Sequence, residues 1–214
     1  MRNTYAMEAE DILANSILRN IKYGTYIDLG CNHPTINNNT YLFYQSGWKG
    51  LAIDGNINFR KLWKTIRPND IFENAVISGH GNKSDFYVFD KNECSTNDFE
   101  QMTLYSKKFK LIEKKIIKTE YLCNIKNKYN IDHVDLLNID VEGSEFEIIK
   151  SIDYNKFRPS LILVEEKNYN LNNPTNLNVF LKQNDYKIIC KTLLNSFYID
   201  RRNTIFNYLP KNMI

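Results

Sequence analysis

Four places in this chain put an acidic residue where an apolar run stops. Asp28 closes "TYIDLG", Asp54 closes "WKGLAID", Asp140 and Glu142 end "VDLLNIDVE", and Glu165 and Glu166 end "RPSLILVEE". In an open parallel sheet, ligands bind outside the carboxyl ends of the strands, so these carboxylates should gather on one rim. Such a rim repels a bare pyrophosphate, which wants backbone N–H groups and positive charge. It suits a ligand with a cationic amine and hydroxyls. The loop "GCNHP" after Asp28 carries one glycine, Gly30, where a dinucleotide fingerprint needs three. One is enough for close passage of the backbone. Asp54 lies 24 residues beyond Gly30, near the spacing at which an acid meets ribose hydroxyls. An adenosine with an amino-acid tail and a sulfonium charge, S-adenosylmethionine, meets all these demands. The plainer alternative is that Asp28 and Asp54 cap helices or accept loop amides.

The elements that must hold these acids follow from periodicity. Met7, Ile12, Leu13, Ile17, Leu18 and Ile21 recur at helical spacing, so residues 5–21 predict an amphipathic helix. Residues 40–47 predict a helix capped by Thr40 and stopped by Gly47, and "NINFRKLWKTI" another, closed by Arg67-Pro68. "IFENAVIS" reads as one strand. "KSDFYVFD" and "KKIIKTEYL" alternate as strands on either side of "ECSTNDFEQMTLYSKKF", and "NIKNKYNI" reads as a short helix. "EGSEFEIIKSI" and "NLNVFLKQND" are helical, and "YKIICKTL" with "SFYID" predicts an antiparallel pair at the end. Strands alternating with helices at this pace mean βαβ units and a mostly parallel sheet. Without repeats, low-complexity linkers or composition shifts, the pattern predicts one domain.

Composition narrows the function classes. The 214 residues are 43% hydrophobic and 13% aromatic, enough for a sizeable core. A balance of 28 basic to 25 acidic residues is too mild to argue for nucleic acid or membrane binding. The four cysteines form no CxxC pair, which predicts neither a zinc site nor a disulfide framework and fits a reducing compartment. Acids at Glu8, Glu10 and Asp11 interrupt any signal peptide, and no run approaches the roughly 18–20 apolar residues of a membrane span. A cytoplasmic protein is expected.

Taken together, "YIDLGCNHP", "NNTYLFYQSGWKGLAIDGN", "RPND", "ENAVIS", "LLNIDVEGSEFEIIKSI" and "RPSLILVE" resemble the FkbM-type S-adenosylmethionine-dependent methyltransferases from about residue 24 to residue 200. The resemblance implies an α/β class I (Rossmann-like) fold: a mostly parallel seven-strand sheet with an antiparallel C-terminal hairpin and helices on both faces. It would occupy residues 24–214, preceded by a helix over residues 1–23 that could cover the substrate. By matched position, Asp28, Gly30, Cys31 and Asn32 would line the methionine end of the cofactor. Asp54, with Gly55 and Asn56 beside it, would take the ribose, and Ala75 and Val76 would flank the adenine. Asp140, also on the cofactor, and Glu142 would face the methyl group and the acceptor. Family members typically methylate oxygens of sugars or natural products, so a surface glycan, nucleotide-sugar or glycosylated natural product is the expected acceptor. Residues 91–130 form the variable substrate-side segment, and Ser95, Thr96 and Glu165 are the expected acceptor contacts.

Methyl transfer to a hydroxyl needs oxygen, carbon and sulfur in line and a base for the proton, worth about 10²- to 10⁴-fold in rate. His33 is one candidate base, since an imidazole titrates near neutrality, though His33-Pro34 can equally shape the loop. Glu142 is the second, although an acid there also suits a helix N-terminus. Asp140, Glu165 and Glu166 could instead gather a divalent cation through oxygen ligands. The run "KKFKLIEKK", residues 107–115, is either a solvated face or a grip on a phosphorylated or nucleotide-linked sugar. A dehydrogenase would require the missing glycines, and an RNA methyltransferase a basic stripe. A lipid or peptide acceptor, or a retired cofactor-binding protein, are the remaining alternatives.

Overall fold

Alternation along the apolar runs builds two sheets. The computed structural model describes residues 3–81, 83–167, 169 and 173–210. Its strands are β1 (Thr25–Leu29), β2 (Lys49–Asp54), β3 (Ile71–Asn74), β4 (Val76–Ile77), β5 (Lys83–Phe89), β6 (Leu111–Glu120), β7 (Leu136–Ile139), β8 (Leu161–Glu165), β9 (Tyr186–Lys191) and β10 (Asn195–Asp200). Its helices are α1 (Glu10–Ile17), α2 (Tyr41–Gln45), α3 (Arg60–Ile66), α4 (Phe99–Tyr105), α5 (Leu122–Lys128), α6 (Glu145–Lys150) and α7 (Asn176–Gln183). The main sheet has the order β3-β2-β1-β7-β8-β10-β9. Its first five members pair in parallel, and β10 enters antiparallel between β8 and β9. This is the expected seven-strand architecture, with the order reversing between β1 and β7.

Odd and even positions of each strand supply opposite cores, as the period of two requires. On one face Ile27, Leu29, Leu51, Ile53, Leu137, Ile139, Ile162 and Val164 pack against Leu122, Ile125, Ile148, Ile149, Leu177 and Leu181 of α5, α6 and α7. On the other, Tyr26, Leu136, Leu161, Leu163, Phe197 and Ile199 meet Ala14, Leu18, Phe43, Trp48 and Phe206. Each fully buried Leu or Ile contributes about 1.5–3 kcal/mol, so the central strands are fixed on both sides. Among the described residues no helix is long and apolar enough to cross a membrane.

Three elements differ from the sequence reading for local reasons. The helix over residues 5–21 is shorter: Ala9 is left-handed (φ 65°) and α1 begins at Glu10. Asp11 turns the chain before it, accepting the Tyr5 N–H at 2.8 Å and the Thr4 hydroxyl at 2.6 Å. "IFENAVIS" divides at Ala75, so that β3 stays beside β2 while β4 leaves for a second sheet of order β4-β6-β5. Thr40 does precede α2, but its hydroxyl makes no cap and turns instead to Asp28.

The rim acids and two connected cavities

The acids at the strand ends divide into three settings. Asp28 is buried in the sheet, with one carboxylate oxygen accepting the Thr40 hydroxyl at 2.6 Å and the other the Asn138 amide at 2.8 Å. Asn138 in turn accepts from the Asn39 amide at 3.0 Å. Behind Thr40 stands Arg67, its side chain inaccessible to solvent and its guanidinium 4.2 Å from the centre of the Trp63 ring. Arg67 donates to Asp70 at 2.7 Å, to Asn38 Oδ1 at 3.0 Å, to Thr40 at 3.1 Å and to the Tyr26 hydroxyl, which itself donates to Asp70 at 2.6 Å. Burial raises the Asp28 pKa, and Thr40 and Arg67 work against that rise.

Asp54 ends β2 at a narrow cleft. Its oxygens accept the backbone N–H groups of Asn32 at 2.8 Å and Asn56 at 2.7 Å. A carboxylate has about four acceptor sites, so capacity remains on the cleft side. Burial lifts its pKa to about 6 against those two hydrogen bonds. The cleft, about 50 Å³, is lined by Gly30, Asn32 and Asp54, by apolar Ile53, Ala75, Val76, Ile77 and Phe86, and by Asn92, Glu93, Ser95 and Asn97. Gly30 (φ +74°) is required here, because a Cβ would fall 1.7 Å from the Asp140 carbonyl oxygen.

Asp140, Glu142 and Glu165 form the third setting. Asp140 borders both the cleft and a groove of about 570 Å³, and Gly30, Asn32, Glu93 and Glu142 are common to the two. Burial and then Glu165, Glu142 and Glu145 push the Asp140 pKa well above the carboxylate range, and burial with Glu142 pushes Glu165 to about 7. Lys167 bridges Glu142 at 3.0 Å and Glu165 at 2.8 Å. Burial would lower its pKa, but these two carboxylates raise it. The Tyr105 hydroxyl donates to the Glu142 carboxylate, and the Thr96 hydroxyl to the Glu142 carbonyl at 2.7 Å. Glu145 folds back onto the N–H groups of Val141 and Gly143, both at 3.1 Å from its Oε1. Among the described residues no hydrogen bond reaches the Asp140 carboxylate.

Several expected site residues lie elsewhere. Cys31 packs with Ala52, Phe59 and Trp63 and lines neither cavity. His33 also borders neither cavity. Its Nδ1 accepts the N–H groups of Thr35 at 3.2 Å and Ile36 at 3.1 Å, which favours the loop-shaping alternative. Burial lowers its pKa. Asn56 caps the turn before α3. Ser95 lines the cleft rather than the groove, and Thr96 is a buried tether. Glu166 points to the opposite face from Glu165, as adjacent strand residues must. There it accepts from Tyr198 at 2.7 Å and from Thr175. Glu145 takes its place, with single carboxylate oxygens of Asp140, Glu145 and Glu165 within 4.8 Å of one another. Sequence reasoning missed Phe86, Asn92, Glu93 and Asn97 in the cleft and Tyr105, Lys167 and Asn195 in the groove. Only Lys167 carried a signal, directly after the acids of β8.

Residues 23–188, more than half of the chain, match the family model described as the methyltransferase FkbM domain. No curated protein matches the sequence. Among solved structures, the Burkholderia thailandensis 1,6-didemethyltoxoflavin-N1-methyltransferase with bound 1,6-didemethyltoxoflavin and S-adenosylhomocysteine is similar over 90% of this chain and 77% of its own. The identity is 12% and the TM-score 0.43.

Proposed function

The chain belongs to the FkbM methyltransferase family, and from that premise we propose that it methylates a hydroxyl of a carbohydrate or glycosylated small molecule with S-adenosylmethionine. One observation carries the reading. Asp140, whose carboxylate has no hydrogen-bond partner among the described residues, stands where the narrow cleft beside Asp54 opens into a wider polar groove.

The donor set of the cleft fits the cofactor. Asp54 would hold ribose hydroxyls with its remaining acceptor sites. Ala75, Val76, Ile53, Ile77 and Phe86 would enclose the adenine, and Gly30 and Asn32 would meet the amino-acid end. When bound, S-adenosylmethionine supplies an electrophilic methyl group and a cationic sulfur. With such a charge nearby Asp140 would ionise more readily than burial alone permits, and its carboxylate would accept the proton of the acceptor hydroxyl. Glu142 is a poorer base, since Lys167 and Tyr105 already occupy it. Lys167 likewise weakens the argument for a divalent cation, because its ammonium already pairs with Glu165, one of the three candidate ligands.

Residues 91–110 and the N-terminal segment both line the groove, through Lys91, Leu104 and Tyr105 and through Met7 and Glu10. We assign acceptor choice to them. The four unpaired cysteines support a reducing, cytoplasmic setting.

Calorimetric titration of S-adenosylhomocysteine tests the cofactor assignment. Wild-type protein should bind it, and Asp54→Asn, shown folded by its melting curve, should bind at least about tenfold more weakly, or 1.4 kcal/mol. Equal affinities would remove Asp54 from the site, and no binding to folded wild type would end the reading.

A further inference from the structure

The groove carries both signs. Asp140, Glu142 and Glu165 line it with Glu10 and Glu93, and so do Lys91, Lys107 and Lys108, none of which is among the charges that act most on Asp140. Six lysines, one of them Lys167 in this groove, lie within 3.3 Å of a carboxylate: Lys114, Lys118, Lys128, Lys150, Lys156 and Lys167. Among the described residues, no carboxylate forms an ion pair with Lys91, Lys107 or Lys108. The basic run of residues 107–115 therefore splits. Lys114 pairs with Asp85 and Lys115 with Glu113, away from the groove, while Lys107 and Lys108 border it. The C-terminal end of α4 favours positive residues at 107 and 108. It does not account for Lys91, which arrives from the end of β5 and whose ammonium sits 5.3 Å from the centre of the Phe109 ring on the same wall.

A ligand that is anionic throughout would be repelled by Asp140, Glu142 and Glu165, and a neutral one would leave three cations unmatched. We propose that the acceptor carries a phosphoryl group distant from the hydroxyl that is methylated, with Lys91, Lys107 and Lys108 binding the phosphoryl oxygens. The inference rests on the methyltransferase reading above and specifies its substrate class. Lysines serve as point-charge ligands for phosphate. Asn195 adds to the polar lining, its Nδ2 donating to Glu10 at 3.0 Å.

The test is calorimetric titration of protein saturated with S-adenosylhomocysteine. The probes are glucose 1-phosphate, uridine diphosphate and UDP-glucose, with glucose as the neutral control. At least one phosphorylated probe should bind measurably more tightly than glucose. Its affinity should fall as salt rises from about 50 to about 300 mM, and about tenfold in Lys107→Gln/Lys108→Gln. Affinity for S-adenosylhomocysteine should stay unchanged in that variant. Binding of uridine diphosphate without glucose 1-phosphate would identify a nucleotide-linked sugar, and the reverse a simple sugar phosphate. If S-adenosylhomocysteine binds but the phosphorylated probes do not, or bind the double variant equally well, this inference alone falls. If S-adenosylhomocysteine itself does not bind, the methyltransferase reading falls and takes this inference with it.

Discussion

Asp28 and Asp140 end neighbouring strands of one sheet, yet their surroundings are opposite. Around Asp28 every oxygen is answered, by Thr40, by Asn138 and, one step back, by an arginine bonded to Thr40 and to three further side chains. Around Asp140 the nearest ionisable neighbours are three more acids and one shared lysine. A satisfied buried network rigidifies a fold, whereas carboxylates crowded without enough partners hold raised pKa values and cluster at working sites. The comparison teaches that a strand-end acid is not by itself a ligand contact. Its unused hydrogen-bonding capacity is what distinguishes the two.

Substitutions should separate the two regions sharply. The largest effect is expected from Asp140→Asn, which should cut methyl transfer to a working acceptor by about 10²- to 10⁴-fold while raising the melting temperature, since it removes mutual repulsion. A variant retaining more than a tenth of the rate would exclude Asp140 as base. Next comes Arg67→Ala, which should lose about 3–5 kcal/mol in urea unfolding because it strands Asp70 and Tyr26 in the core. Arg67→Lys keeps the charge but not the fork, so it should be destabilised less. A neutral result for both would show that the network is not structural.

The smallest effect is a pH dependence. With Asp54 titrating near 6, affinity for S-adenosylhomocysteine should drop about tenfold between pH 7 and pH 5 as the carboxylate protonates. Its contribution to stability runs the other way. Because its folded pKa is raised, the native state holds the proton longer than the unfolded chain, so ionisation from about pH 4 to pH 6 costs stability. A pH-independent affinity would remove Asp54 from contact with the ligand.

Periodicity made the main sheet legible, because β1, β2, β7 and β8 are apolar runs ended by acids and packed on both faces. It could not show the division of "IFENAVIS", since β3 and β4 carry the same local pattern and differ only in the partner each finds across the chain. The position of Asp54 on the cleft was readable from its spacing to Gly30. The confinement of Asp28 was not, because Thr40, Asn138 and Arg67 come from three distant segments. Glu145 replaced Glu166 for a simple geometric reason. Consecutive strand residues face apart, while the turn after β7 brings Glu145 back over its own loop.

The hydrogen bonds around Asp28 also carry direction. A guanidinium can only donate and an ionised carboxylate can only accept, so Asn138 must present its NH₂ to Asp28 and its carbonyl to Asn39. Asn39 must then spend an N–H inward, which leaves its carbonyl oxygen to offer the groove it lines. Neither amide is free to flip. One wall of the groove is thereby given a fixed sign, an oxygen waiting for a donor, by a buried carboxylate that never touches it.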